Sequence, residues 1–490
     1  MPYLADLEQS GIPTVLINYV EETEKVKNDS VLYGIPKLRY VEADRKSPGG
    51  VEEADRLLPL VLEGLTRPLT RAEKAGGRYA PEPPRILFEG TLPEAEKFYQ
   101  QTERIPRILD AEWSMYTDGL PVVIPTEERV KEMLTGTSHA PDELISLQRD
   151  FETRPQAGLF MQGMIRKKGE VIKFMPTGST ATVEQIAVNA VMAGCRPEYF
   201  PVVLAMAESG GCTGDGRSWG GGFIVSGPIY KELGMNVSYL RFGPCNPANK
   251  TIGRVGSLIW RNIGGWKESV TGIGVGLTYG NPVTNGGFIF AEYAEGLPAG
   301  WKGLNEMRGF KKNESVIVPF SPGAWGIGQE HLPGVYRSLQ RTGHGAIARF
   351  LDVKGVVGPH NYLEFLTKDI WATREGGFTL VMPPQVAQDL YDYGFKTKEA
   401  VYEWMWKRSF VTVGNYRQRG MGDLITNGWL GIERTSGKHW RELPDDYMVP
   451  AGGDGPEAYT IIVAHGDETA IDRFGGGPMG SQTYSIDAWR

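Results

Sequence analysis

Three thiols, a strand-terminal histidine and a threonine–glycine–serine turn hold most of the chemistry this sequence offers. Cys195 sits in Gly194-Cys195-Arg196-Pro197-Glu198. Pro197 suits the first position of a helix, which puts Cys195 at or just before the cap. The positive helix end and Arg196 would there stabilise a thiolate, the reactive form of cysteine. Glu198 can carry a proton, and Asn189 and Arg196 can orient a substrate. The alternative is a small buried cysteine at a tight interhelical turn, where volume matters and charge does not.

Cys245 lies in RFGPCNPANKTIGR, where Asn246 and Asn249 precede a helix expected to begin near Thr251. Asn249 reads as its N-cap. The functional reading is that Cys245 and both asparagine amides face the cavity of Cys195. Cys212 lies in SGGCTGDGRSWGGG, where backbone can approach a ligand closely. No CxxC pair occurs, so thioredoxin-type and zinc-ribbon readings have no support. Upstream, a strand ends near Met175, and Thr177, Gly178, Ser179 and Thr180 lead into a helix starting near Thr182. Amides at such a start make an anion site; the alternative is an ordinary Ser/Thr cap. No Gly-Lys-Ser/Thr follows, so this is not a Walker loop.

The histidines are His139, His331, His344, His360, His439 and His465, with no HExxH spacing among them. His465 ends the apolar run TIIVA, and open α/β sheets place ligands at strand carboxyl ends. It is the second candidate proton carrier. Cys195, Cys245 and His465 together could hold a soft ion such as copper, zinc or iron. No motif requires a cofactor. A GxSxG elbow is absent, against an α/β-hydrolase triad.

The elements that must position these groups alternate. Strands are expected at Ile12–Asn18, Leu38–Val41, Ile86–Phe88, Val122–Ile124, Val171–Phe174, Phe223–Val225, Gly287–Ala291, Ser315–Pro319, Phe378–Met382 and Thr460–Ala464. Helical spacing occurs at Val51–Leu65, Glu94–Gln101, Glu127–Leu134, Val183–Met192, Glu198–Glu208, Ile252–Asn262 and Glu399–Trp406. This order predicts an α/β fold of layered mixed sheets with helices. Residues 1–76 read as a small, incomplete α/β lobe, because two strands and a helix cannot cover both faces of a sheet. Residues 77–84 are a Pro/Gly linker and 85–480 the main α/β body, of one or two subdomains. Residues 481–490 form a tail expected to pack across a neighbour.

Over 490 residues the net charge is −7, which argues against nucleic acid as a partner. An apolar fraction of 41% allows a sizeable core. Three cysteines cannot frame a disulfide scaffold, so a reducing, cytoplasmic location is expected. Neither a signal peptide nor an apolar run of membrane-spanning length is seen, so no membrane partner is expected.

Several stretches carry a resemblance: LEQSGIPTV, YGIPKLRYV, DGLPVVIPTEERVKEML, VNAVMAGCRPEYFPVVLA, IVSGPIYKELGMN, ANKTIGRVGSLIWRNIGG and TIIVAHGDE. Together they span nearly the whole chain, and the chain resembles the UGSC-motif family, named for selenocysteine-or-cysteine, glycine, serine, cysteine. The resemblance implies an α/β protein with a thiol or selenol redox role. In that family the motif immediately precedes the stretch resembling LEQSGIPTV, so it is expected on a separate small subunit or behind an upstream selenocysteine codon. Cys245 and His465 both stand where the resemblance leads one to expect glycine. The first expectation is therefore a cysteine-dependent enzyme performing redox chemistry on a small molecule, centred on Cys195. The others are a metal-dependent lyase or hydratase and a non-catalytic scaffold within a hetero- or homo-oligomer.

Overall fold

The computed structural model describes residues 4, 7–8, 10–20, 23–32, 34–44, 51–74, 84–105, 111–152, 165–175, 177–210, 222–239, 245–265, 288–320, 363, 379–418, 432–433, 435–450, 455–465, 472–474 and 482–490. In the N-terminal lobe, β1 (Leu16–Tyr19) and β2 (Tyr40–Ala43) pair in parallel, Leu16 opposite Tyr40. Helix α1 (Thr23–Leu32) supplies the crossover that parallel neighbours need. Val26, Ile35 and Leu38 form a small separate core. Helix α2 (Val51–Thr66) matches its expected range within one residue, yet none of its residues is buried. Leu58 and Leu62 stay 55% and 51% exposed, so that part of its apolar arc has no cover among the described residues. Arg39 clamps the lobe, donating to both Glu73 oxygens at 2.8 and 3.0 Å and to the Arg67 and Pro68 carbonyls beyond α2. That fork holds the Glu73 carboxyl well below the usual carboxylate range.

The main body follows as α3 (Leu92–Tyr99), the hairpin β3 (Thr102–Ile105) and β4 (Ala111–Ser114), α4 (Glu127–Leu134), α5 (Val183–Ala193), α6 (Phe200–Glu208), β5 (Gly222–Ser226), α7 (Pro247–Asn262), β6 (Phe288–Ala291), α8 (Leu304–Met307) and β7 (Val316–Phe320). The chain continues with β8 (Thr379–Met382), α9 (Pro384–Tyr393), α10 (Lys398–Arg408), β9 (Thr460–Val463), β10 (Asp472–Phe474) and β11 (Tyr484–Ser485). The first sheet has the order β11-β7-β5-β6 and the second β9-β8-β10. Both are mixed: β5 runs parallel to β6 and antiparallel to β7, while β8 runs parallel to β9 and antiparallel to β10. The fold class is α/β.

Period-two alternation decides which core each strand residue enters. Phe223 and Val225 of β5 join the core containing α5, α6 and α7. Helix α6, FPVVLAMAE, is apolar nearly all round, and every residue of it is buried. Leu380, Met382, Ile461 and Val463 face a second core with α9 and α10. The intervening residues Ile224, Phe290, Val316, Val318, Val381 and Ile462 meet in a third cluster shared by the two sheets. Beyond β6, the Tyr293 amide donates to Val463 O at 2.7 Å, joining the sheets through the backbone.

Three expectations need correction. Ile86–Phe88 and Val122–Ile124 are loops, because Val123 N–H goes to Met192 O at the end of α5 rather than to a strand. Val171 and Phe174 make only isolated bridges, to Ser146 and Ser179. The tail packs on its own chain: β11 pairs with β7, and Trp489 is fully buried in the first core. There the Trp489 indole and the Gln148 amide donate to Glu208 at 2.7 and 2.8 Å, while burial pushes that carboxyl up to about 7. Of residues 77–84, only Pro84 is described. Among the described residues no helix is long and apolar enough to cross a membrane.

The ion pair of Lys398 and Glu292, 2.7 Å long with side chains 0% and 1% exposed, makes a direct prediction. Lys398→Met strands a buried carboxylate and should cost about 3–5 kcal/mol, whereas Lys398→Met with Glu292→Leu should recover much of that loss. Urea unfolding of both variants checks it; a single variant as stable as the parent would refute the stabilising role.

Candidate functional site

Helix α7 is the axis along which the candidate residues fall. It is 16 residues long, about 24 Å at 1.5 Å per residue. At its carboxyl end, Thr177 N and Oγ1 both donate to Gly264 O, at 3.0 and 2.9 Å. Asn189 lies at the same end, 3% exposed, donating to Gln185 O and accepting from Asn262 Nδ2 at 2.9 Å. It ties α5 to α7 and is not presented to a substrate.

The anion-site expectation for Thr177, Gly178, Ser179 and Thr180 is overturned by where the amides go. Gly178, with φ +74, sends its N–H to Phe174 O, and Thr177 and Ser179 hydroxyls bond each other at 2.7 Å. Thr182 is the actual cap of α5, in a capping box with Gln185. Val183 and Glu184 amides donate to Glu143 O and Pro141 O, and the Gln185 amide to Thr182 Oγ1. Every amide of the first turn thus has a protein acceptor, and Thr180 stands outside the helix.

Cys195 follows α5 and meets Thr251 in the second turn of α7, and its chemistry is the reverse of the expected one. Gly194, φ +84, ends α5 in a left-handed cap; its N–H bonds Val191 O, and Cys195 N–H bonds Ala190 O. This is a Schellman motif, so the dipole end beside Cys195 is the negative one, which disfavours a thiolate. Pro197 does open the following helix, as a 3-10 turn running into α6 with Arg196 at its cap. Arg196 turns outward, 3.8 Å from Glu198, both side chains more than half exposed. The Cys195 side chain packs against the first core. Burial pushes its thiol up to about 12, and a hydrogen bond with Thr251 only partly opposes this. Glu198 is committed to Arg196 rather than to the thiol.

Cys245 stands at the amino end of α7. The helix starts at Pro247, one turn earlier than expected, and Asn246 is its cap, accepting from Asn249 N at 3.0 Å. Asn249 is 2% exposed; its Oδ1 accepts from Asn236 N at 2.9 Å and its Nδ2 donates to Ile289 O at 3.3 Å. Asn246 Nδ2 donates to Gly234 O at 2.9 Å. Both asparagines therefore pin the loop 234–239 to α7. His465 reaches the same loop, its N–H donating to Val237 O at 2.7 Å and its ring 5.8 Å from that of Tyr239. Cys245 is exposed, and with φ +66 it is the non-glycine residue of the described chain in the left-handed region.

The structure thus brings Asn246, Asn249 and His465 to one loop, with Cys245 next to the Asn246 cap, and leaves Cys195 apart, beside Thr251 of α7. The 177–180 turn and Asn189 lie at the far end. The shared pocket of Cys195, Cys245 and the turn does not form, and Cys195, Cys245 and His465 do not assemble a ligand set. Among the described residues no group of three His, Cys, Asp or Glu could hold a metal ion. His139 is structural, bridging Glu143 and Ala488 O with its ring tilted 4.5 Å from that of Trp489. His439 caps a 3-10 turn. Cys212, His331, His344 and His360 lie outside the described residues. Thr251 and Tyr239 went unread, since their roles depend on the approach of α5 and of β9, which no local pattern encodes. Comparison with protein-family models, curated proteins and solved structures finds no match to the chain.

Because alkylation follows the thiolate fraction, Cys195 should react far more slowly than a free cysteine at neutral pH. With Cys212 and Cys245 replaced by serine, its rate should keep rising well beyond the free-thiol midpoint of about 8.5. A midpoint at or below that value would contradict the buried, neutral thiol.

Proposed function

We propose that the chain is a cysteine-dependent enzyme performing thiol redox chemistry on a small molecule, with Cys245 rather than Cys195 as the reacting group. The observation that carries this is the combination at Cys245 of exposure, a left-handed backbone and a place just before the cap of a 16-residue helix. Strained non-glycine backbone persists where something retains it. The resemblance to the UGSC-motif family supports a thiol role, and glycine, expected there by that resemblance, would adopt φ +66 without strain.

In this reading the Cys245 thiolate attacks one sulfur of a substrate disulfide. The S–S bond breaks, and its electron pair leaves on the other sulfur, which takes a proton. A low-molecular-weight thiol then attacks the Cys245 sulfur of the mixed disulfide, releasing the second substrate thiol. Another molecule of that thiol frees Cys245, and the two leave as their own disulfide, having supplied both electrons. His465 is the proposed acceptor of the Cys245 proton, while Asn246 and Asn249 hold the loop. The metal-dependent lyase or hydratase is not retained, because its three ligands do not converge.

A second reading, assembly with a hetero- or homo-oligomeric partner through the N-terminal lobe, is favoured by α2. Val51, Leu58, Leu62 and Leu65 form a stripe at helical spacing that stays exposed, and Ile17 and Tyr19 of β1 are exposed beside it in the same lobe. A surface of this kind usually marks an interface. A small subunit carrying the redox motif, expected from the resemblance, is one candidate partner.

Two measurements follow. In a chain whose other cysteines are serine, an aromatic disulfide should release one equivalent of thiol through Cys245, and Cys245→Ser should abolish turnover. Cys245→Gly should also abolish it while raising stability by about 1 kcal/mol, since glycine relieves the left-handed strain. Unchanged turnover in Cys245→Ser would end the proposal. For the lobe, native mass measurement should show an assembly larger than one chain that Leu58→Glu with Leu62→Glu breaks; a parent chain that is already monomeric would dismiss that interface.

A further inference from the structure

Residues 484–490 close over the first core and are tied down by groups whose hydrogen bonding depends on a proton. β11 pairs with β7, Tyr484 opposite Ile317 and Ser485 opposite Val316. The Thr137 and Ser138 hydroxyls donate to Trp489 O and Arg490 O at 2.6 and 2.5 Å. His139 spans the same seam, its Nδ1 2.9 Å from both oxygens of Glu143 and its Nε2 2.8 Å from Ala488 O. A carboxylate and a carbonyl only accept, so both contacts are hydrogen bonds only when each ring nitrogen carries a proton. A neutral ring donates from one nitrogen and turns a lone pair on the other acceptor. The ring centre also lies 4.5 Å from that of Trp489, within the range at which an indole favours a cation.

Glu208 holds the same indole by its nitrogen. Its Oε2 accepts from Trp489 Nε1 at 2.7 Å and its Oε1 from Gln148 N at 2.8 Å, and the residue is wholly buried. Two donors favour the carboxylate, whereas burial and a place at the negative end of α6 favour the acid. Burial prevails and raises the group to about 7. The charged and titratable groups around it are Arg149, Arg166 and Tyr484. The Arg149 guanidinium lies 4.5 Å over the Phe310 ring, and Arg166 bonds Glu170 at 2.9 Å. On the His139 side, the docked segment brings Arg490, which pairs with Glu232 and Asp487 at 2.8 and 3.2 Å. Asp487 in turn accepts from the Ser315 amide at 2.7 Å.

We propose that residues 484–490 form a proton-dependent latch, docked while His139 and Glu208 each carry their proton and released as pH rises past neutral. The Glu208 carboxyl titrates higher in the docked state than in the free one. Its contribution is therefore complete at acid pH, below the ordinary carboxyl range, and is lost as pH rises through about 7. His139 acts in the same direction, because its two bonds need the second ring proton. Release returns β7 to a sheet edge and empties the place of Trp489 beside α6, so backbone and core are uncovered together. The latch uses no residue of the Cys245 loop and stands or falls independently of the thiol reading.

The test is hydrogen exchange of the full chain, read by mass spectrometry between about pH 5.5 and about pH 8 and corrected for the pH dependence of exchange itself. Opening of 484–490 should rise about tenfold or more over that range, as linkage requires of a carboxyl that titrates near 7 docked and in its ordinary range when free. Opening of β8, in the second sheet, should stay unchanged. Glu208→Gln, which keeps the shape of the neutral acid, should remove most of the rise, and adding His139→Gln should flatten the profile. A flat parent profile, a rise shared equally by β8, or an undiminished rise in the double variant would overturn the latch. The parent profile alone can refute it, so a variant that fails to fold does not shield the proposal.

Discussion

Where β6 ends, the Glu292 carboxylate has to be satisfied without water, and that requirement welds the main body together. It accepts from Ser226 at the end of β5, from the Leu304 amide at the start of α8 and from Lys398 at the start of α10. The next residue, Tyr293, reaches across to β9. Four elements from two cores therefore meet one buried charge. Apolar packing alone would let the two sheets slide, since dispersion has no direction. A carboxylate with fixed donors permits one arrangement, and the shared cluster of Ile224, Phe290, Val381 and Ile462 then closes around it.

Helix α7 plays the corresponding role for the candidate site. Its sides are occupied by α5 and β6, so what remains to be distributed along it is set by distance alone. Groups that look close in a linear reading, such as the 177–180 turn and Cys195, are held most of a helix length apart. Groups far apart in sequence, His465 and the two asparagines at the start of α7, meet on the loop 234–239. Asn249 makes this possible: a buried side-chain amide reproduces the bonds a strand edge would make to Asn236 and Ile289.

The sequence was legible where local chemistry decides. The strands at 223, 316, 379 and 460 and the helices at 51, 127, 183 and 200 follow from apolar spacing and caps. Helix α1, TEKVKNDSVL, was missed because its apolar residues are too few to show a period. Ile86–Phe88 is apolar enough for a strand, but among the described residues no partner strand pairs with it. Cys195 shows the limit most clearly. Gly-Cys-Arg-Pro encodes both the end of one helix and the start of the next, and which dipole a thiol feels depends on the direction its side chain takes. There the thiol meets Thr251, more than fifty residues away.

The last strand has a bearing on how the chain comes to be folded. β11 completes the edge of the first sheet, and Trp489 fills the same core as α6. The Thr137 and Ser138 hydroxyls bond the carbonyls of Trp489 and Arg490 across a sequence separation of 352. During vectorial synthesis the loop at 137–139 and the buried Glu208 emerge long before the residues that satisfy them. Contacts of such high order close slowly. Until residues 484–490 arrive, the nascent chain carries an open strand edge and an unfilled core. It is therefore at the ribosome, rather than as a finished protein, that this fold is most exposed to aggregation and most dependent on chaperones.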